Sequence, residues 1–387
     1  MSINFFKSSA RAAAALAVAA GAALLPLSGC ATAAAPDTAK NAAKTTVKKT
    51  AKPATEQRKA ANPDDVGEFA NFNEWKEVSD FIDTMSATHG FDRTELENLF
   101  RKVRYVDTAI QLIKPAPPGK PKNWRAYRAR FVEPVRIRAG VNFWETHADA
   151  LARAEERYGV PSEIIVGIIG VETVYGRNTG NFRVLDALTT LAFDYPPTPT
   201  REARMKFFRG ELENTLLFAR ETQIDPFSLF GSYAGAIGWP QFMPGSIRKY
   251  AVDFDNDGKI DLRKSPVDAI GSVANFLVEH GWKRGEPTVF PATVSAADVG
   301  RGWDMFLGQG LEAKYKLDEI KAAGVTPTVE PPADMPFGLV DLQNGGEPTE
   351  YWLGAGNFFA ITHYNRSFFY AMSVIDLGRA VRSARGG

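Results

Sequence analysis

The sequence predicts an α-rich α+β protein, and three observations carry that prediction. Apolar residues recur at helical spacing from about residue 65 to residue 281, while strand-like segments appear only beyond Pro287. The 387 residues are 44% hydrophobic and 11% aromatic, enough for a large core divided over two or three domains. The formal net charge of +1 gives no electrostatic case for nucleic acid, whereas a neutral polymer such as a glycan suits this balance.

The N-terminus reads as an export signal over residues 1–30. Lys7 and Arg11 precede an apolar stretch that is too short to span a bilayer and ends in Leu27-Ser28-Gly29-Cys30. Cys30 is the only cysteine, so no internal disulfide can form. Leu-Ser-Gly-Cys after such a stretch resembles the bacterial lipobox; an ordinary signal peptide with an incidental cysteine is the alternative. The resemblance implies lipidation of Cys30, and Ala31 in place of the retention Asp implies the outer membrane, facing the periplasm. Residues 31–64 are rich in Ala, Thr, Lys and Pro and nearly lack large apolar side chains, so they read as a flexible tether.

Residues 65–122 form an accessory helical region. Asp92-Arg93-Thr94-Glu95 has the spacing of a capping box, opening a helix through Leu96, Leu99, Phe100 and Val103. Residues 115–121 are a proline-rich loop. Residues 123–286 hold further helices near 124–131 and 141–158, then one with Pro161 in its first turn, one over 204–222, and one from Ser265 to about Gly281. Gly167 and Gly170 would let another helix approach closely. The stretch 231–246, dense in Gly, Pro and aromatics, reads as an ordered loop. Residues 287–387 mix a short helix over 311–323, strands at 336–342, 350–354 and 358–363, and a last helix over 368–381.

Glu172 is the only charged side chain in the run Ile164 to Gly176. An ionised carboxylate is costly in so apolar a segment, so its pKa should rise and leave it a proton to donate near neutrality. The alternative is a buried glutamate paired with an arginine. A glycosidase usually needs a second carboxyl group. Glu163, nine residues earlier at about 100° per residue, falls on the opposite helix face. Asp186, Asp194 and Asp225 could approach only through folding, which leaves room for a single-carboxylate mechanism.

Four segments resemble the membrane-bound lytic murein transglycosylase B family. They are Gly167-Ile168-Ile169-Gly170-Val171-Glu172-Thr173, the run from Gly231-Ser232-Tyr233 to Gly238-Trp239-Pro240-Gln241-Phe242-Met243-Pro244, Val267-Asp268-Ala269-Ile270-Gly271, and Ile361-Thr362-His363-Tyr364-Asn365. The resemblance implies a lysozyme-like catalytic core over residues 123–286, with 287–387 completing the cleft. It implies cleavage of the bond between N-acetylmuramic acid and N-acetylglucosamine in peptidoglycan. Glu172 would act as acid and then base while the muramoyl C6 hydroxyl attacks its own C1, leaving 1,6-anhydro ends. Ser232 would hold the 2-acetamido group, and Tyr127, Gln241, Phe242, Tyr364, Asn365 and Tyr370 would line the cleft. Arg204 would face a peptide stem or sugar carboxylate, with Ala203 where its usual partner stands. Glycan strands and outer-membrane lipid are the implied partners, together with wall-synthesis or division proteins. No cofactor is implied for catalysis.

The run Asp253 to Asp261 resembles the start of an EF-hand, with Asp253, Asp255 and Asp257 at alternate positions and Gly258 at the sixth. Lys264 stands where the closing glutamate belongs, and the family's variant loop implies Asp268 in its place. Asp253, Asp255, Asp257, Lys259 (through its carbonyl) and Asp268 are therefore the candidate ligands of a structural Ca2+ in the loop 253–268. Trp239-Pro240 replaces a usual Tyr-Gly, and residues 196–200 resemble an insertion. A water-using muramidase and a non-catalytic glycan-binding scaffold are the alternatives. Ser246-Ile247-Arg248-Lys249 has the S-x-x-K spacing without its companion motifs. Four scattered histidines without H-E-x-x-H argue against a zinc peptidase.

Overall fold

The computed structural model describes residues 68–115, 121–295 and 302–386. The expected signal segment, Cys30 and the tether lie outside the described residues. Within them are fourteen α-helices and three small antiparallel sheets, the α-rich α+β class that the sequence predicts.

The first region pairs β1 (Glu68–Phe69) with β2 (Arg104–Tyr105) and carries α1 (Lys76–His89), α2 (Arg93–Phe100) and α3 (Asp107–Ile113). The Asp92 side chain accepts from the Glu95 amide at 2.8 Å, as the capping spacing predicts. This region shares one core with the helices that follow, from Phe72 through Trp124 and Ile165 to Val381.

The central region comprises α4 (Trp124–Arg128), α5 (Pro134–Thr146), α6 (Ala148–Tyr158), α7 (Ser162–Thr173), β3 (Phe182–Arg183), α8 (Val184–Phe193), α9 (Arg201–Thr222), β4 (Phe230–Gly231), α10 (Pro244–Tyr250) and α11 (Pro266–Glu279). The helix expected over 141–158 is two helices that meet at His147. In α9 the buried stripe Met205, Phe208, Leu212 and Leu216 follows the helical period and faces the core. Ser265 caps α11 by accepting from the Asp268 amide.

The last region has β5 (Val289–Val294), α12 (Leu317–Ala322), β6 (Val325–Pro327), β7 (Gly338–Asn344), β8 (Glu347–Gly354), α13 (Gly356–Thr362) and α14 (Phe368–Ala384). Its sheet runs β6-β5-β8-β7. Side chains alternate across it: Leu339 and Leu353 face a small core with Trp303, Phe306 and Ile320, while Val340 and Leu342 join the main core. The strand expected at 358–363 is instead helix α13, whose Phe358, Phe359, Ala360 and Ile361 are all buried. Burial on every side erases the periodicity that separates a short strand from a short helix.

Helices α7 and α14 pack backbone against backbone at two glycines. A Cβ added at Gly167 would lie 2.3 Å from the Val374 carbonyl oxygen, and one at Gly378 would lie 2.2 Å from that of Glu163. The Arg382–Glu163 ion pair at 2.9 Å also bridges these helices, but it is exposed and adds little beside such contact. Gly167→Ala should therefore destabilise the protein by about 1–3 kcal/mol, since overpacking must move backbone. Gly210→Ala in α9, where an added Cβ meets nothing within 4 Å, should stabilise it by about 1 kcal/mol. Denaturant unfolding of the two variants checks both signs.

Candidate active site

Glu172 lies in the last turn of α7, where the helix ends under strain. Val174 and Tyr175 both take positive φ, 51° and 56°, a conformation unfavourable for a β-branched residue. The neighbouring contacts hold it there. The buried Thr173 hydroxyl donates to the Trp239 carbonyl at 2.9 Å and accepts from the Gly176 amide at 3.0 Å. The Tyr175 ring wedges against Gly140 and Gly170, where an added Cβ would come within 2.4 and 2.5 Å of its hydroxyl. Trp239 covers Gly176 so closely that a Cβ there would sit 2.6 Å from the indole. The Trp-Pro pair that replaces Tyr-Gly is thus built into the wall behind Glu172.

The Glu172 carboxyl, with partial solvent access, accepts from the Tyr370 hydroxyl at 2.6 Å. Among the described residues no arginine pairs with Glu172, so the buried glutamate–arginine alternative is not found there. Burial pushes the Glu172 carboxyl up to about 7, against the smaller lowering effect of the Tyr370 hydrogen bond. Burial and then the Glu172 charge raise the Tyr127 phenol to about 12 and hold Tyr364 and Tyr370 well above the usual range. Three phenols from α4, the α13–α14 turn and α14 thus share the field of one carboxylate.

The other carboxylates that could have joined Glu172 have structural partners elsewhere. Asp186 binds Arg183 at 2.6 Å and accepts from the Arg104 amide. Asp194 accepts from the Tyr105 hydroxyl, and Asp225 caps the turn at Phe227. Glu163 pairs with Arg382.

The remaining expected cleft residues divide into three groups. Tyr364 donates to the Pro240 carbonyl at 2.7 Å and stacks near Tyr370, with Asn365 half-buried beside it. Ser232 lies against the segment leaving α7, since β3 pairs with β4 and a Cβ at Gly180 would come within 2.5 Å of the Ser232 nitrogen. Its hydroxyl accepts from the Ala236 amide at 3.0 Å, and its O–H remains a donor. Gln241, at φ 51°, donates to the carbonyls of Thr179 and Gly238 and ties these loops together.

Phe242 departs from the expected role: it is 2% exposed and packed on Phe276 and Tyr364, so it backs Tyr364 and offers no face to a sugar. Tyr370, also 2% exposed, spends its hydroxyl on the Glu172 carboxyl. Arg204 lies in the first turn of α9, with its charge acting on Tyr195. Thr173 has no role in the sequence reading; its signal is a hydroxyl beside the lone glutamate of an apolar helix.

In the loop 253–268, carboxylate oxygens of Asp253, Asp255 and Asp268 lie within 4.8 Å of one another. Asp268 is buried and accepts from the Phe254 and Asp261 amides, which fixes it at the centre of the turn. Asp257 is outside that trio and accepts from the Lys259 amide. An all-oxygen donor set on a turn with Asn256 and Gly258 at positive φ suits a hard cation.

An α-rich fold enclosing one acid among tyrosines defines the class, and the chain belongs to the Transglycosylase SLT domain family, whose model matches residues 72–379. It is 44% identical over 328 residues to the membrane-bound lytic murein transglycosylase B of Escherichia coli (strain K12), covering 82% of this chain and 85% of that protein. The lytic transglycosylase Slt35 of Escherichia coli, solved in complex with calcium, is 42% identical with a TM-score of 0.72 over 85% of this chain and all of that one. SltB3 of Pseudomonas aeruginosa, solved with NAG-anhNAM-pentapeptide, is 30% identical with a TM-score of 0.66 over 82% and 80% of the two chains. The protein is accordingly an enzyme of the peptidoglycan-cleaving lytic transglycosylase class with a lysozyme-like fold.

An acid with a pKa near 7 is active while protonated, so kcat/KM should fall as pH rises through about 7. Tyr370→Phe removes the interaction that lowers this pKa, and the falling limb should move to higher pH. The raised pKa also makes Glu172 a stabilising group below its ordinary value of 4.5, and that contribution is lost as pH rises through about 7. Rate profiles of both proteins from pH 4 to 9 check the shift; an unmoved limb would assign it to another group.

Proposed function

We propose that Glu172 alone performs the acid and base chemistry of strand cleavage, with the nucleophile supplied by the substrate. The observation that carries this reading is a single carboxyl poised near neutrality while Asp186, Asp194 and Asp225 are engaged elsewhere. Glu172 gives its proton to the oxygen linking N-acetylmuramic acid to N-acetylglucosamine, and the C1–O bond breaks. The carboxylate then takes the proton of the muramoyl C6 hydroxyl as O6 bonds to C1. Glu172 ends protonated and a 1,6-anhydromuramoyl end forms without water. Tethering of the nucleophile favours this closure. The anhydro sugar in the SltB3 complex supports the same product class here.

Ser232 orients the 2-acetamido group through its remaining O–H, while Tyr127, Tyr364 and Asn365 present polar-tipped surfaces to the sugars. Arg204 meets the peptide stem or sugar carboxylate from the first turn of α9. Cys30, lipidated, holds the enzyme at the outer membrane facing the periplasm, in keeping with its membrane-bound relative. No described helix is long and apolar enough to cross a membrane.

Mass spectrometry of peptidoglycan digested by a form starting after Cys30 tests the reaction. Anhydro ends should appear, and Glu172→Gln should lower their rate by roughly 10²–10⁴-fold, the usual range for general acid–base catalysis. Reducing ends would establish a water-using muramidase; binding without cleavage would establish a scaffold.

Asp253, Asp255 and Asp268 hold a structural Ca2+, as the calcium complex of Slt35 suggests. Calcium at a hundred times its Kd should stabilise the chelator-treated protein by about 2.7 kcal/mol. Asp253→Asn should abolish the accompanying rise in Tm; a Tm indifferent to calcium would rule the site out.

A further inference from the structure

We propose that a second cavity, across α14 from the acid, binds a peptide stem of the same glycan strand. This rests on the substrate assignment above and adds a site to it. The cavity has a volume of about 440 Å³ and is lined by Trp124, Arg125, Arg128, Glu350, Trp352, Met372 and Asp376. Trp124 and Met372, 2% and 1% exposed, back the cavity from beneath, and the half-buried Trp352 at its side is the apolar surface open to a ligand.

Its charges define the ligand. Arg128 is neutralised by Asp376 at 2.6 Å. That leaves the exposed Arg125 guanidinium and the Glu350 carboxylate, whose hydrogen bond from Asn344 spans 3.3 Å. One cation and one anion beside the Trp352 ring match a chain bearing a carboxylate, an ammonium and aliphatic carbon between them. A neutral sugar would use neither charge, and a simple anion would be repelled by Glu350. A peptide stem carries all three groups.

The placement suits a stem hanging from a sugar in the cleft. Helix α4 sends Tyr127 into the field of Glu172 and Trp124, Arg125 and Arg128 into the cavity. Helix α14 sends Tyr370 to Glu172 and Met372 and Asp376 to the cavity. The two sites are thus separated by about one helix diameter, on the order of 10 Å. Five extended residues reach about 17 Å. The cavity is distinct from the region of Arg204 beside Tyr195, so stems on successive muramoyl residues can be held at two points.

The test compares strands bearing stems with the same strands stripped of them. The wild-type ratio of kcat/KM, stem-bearing over stripped, should be about tenfold, the effect of roughly one charge-assisted hydrogen bond. In Arg125→Ala/Glu350→Gln it should fall severalfold, to the part that the Arg204 region retains. A ratio that keeps its wild-type value in the double variant overturns the proposal, because a merely structural lesion lowers both rates together. Free stem pentapeptide titrated into the Glu172→Gln protein, followed by tryptophan fluorescence, separates this inference from the reaction itself. Binding weakened tenfold or more by Arg125→Ala/Glu350→Gln supports the cavity even if no anhydro product forms. Binding unchanged by the two substitutions refutes it.

Discussion

Everything at the catalytic centre depends on how closely α14 can approach α7. Gly167 and Gly378 remove the side chains that would hold these helices apart, and the Val374 and Glu163 carbonyls occupy the space. That approach brings the Tyr370 hydroxyl within 2.6 Å of Glu172, although 198 residues separate them in sequence. A dispersion-packed contact of this kind is close-fitting and intolerant of one added methyl group. The Tyr370–Glu172 hydrogen bond is therefore set by helix packing, and the exposed Arg382–Glu163 pair at its edge is secondary.

The small sheet contributes to the same geometry from a distance. The end of β7 fixes α4: the Asn344 side chain accepts from the Arg125 amide at 2.9 Å, and the Gly345 amide donates to the Lys122 carbonyl. With α4 anchored there, Tyr127 is held near Glu172 and packs on Trp124 and Phe369. The small sheet thus helps to set where Tyr127 stands beside Glu172.

Much of this was legible in the sequence, for identifiable reasons. Glu172 stood out because a lone charge in an apolar helix is energetically conspicuous, and Gly167 and Gly170 marked the face that another helix would meet. Helices with one exposed side, such as α9 and α11, kept their periodicity and were found within a few residues. Elements buried on all sides lost it, which is why α13 read as a strand. The roles of Phe242 and Tyr370 needed the fold, because sequence cannot say which face of an aromatic ring is left open. The cavity at Trp352 was equally invisible, since its residues come from α4, β8 and α14.

A single acid must serve at both ends of the proposed reaction, and its surroundings favour that. A carboxyl raised to about 7 by burial donates readily, yet its ionised form is only moderately disfavoured at neutrality. Once the proton is given, burial penalises the carboxylate and drives it to recover one from the nearest hydroxyl that can lose it. The Tyr127, Tyr364 and Tyr370 phenols are poor sources of that proton, because burial and then the same carboxylate raise the Tyr127 phenol to about 12 and hold those of Tyr364 and Tyr370 well above the usual range. Tyr370 stabilises the charge through its hydrogen bond without giving up its proton, which leaves the substrate hydroxyl as the group whose deprotonation is coupled to bond formation.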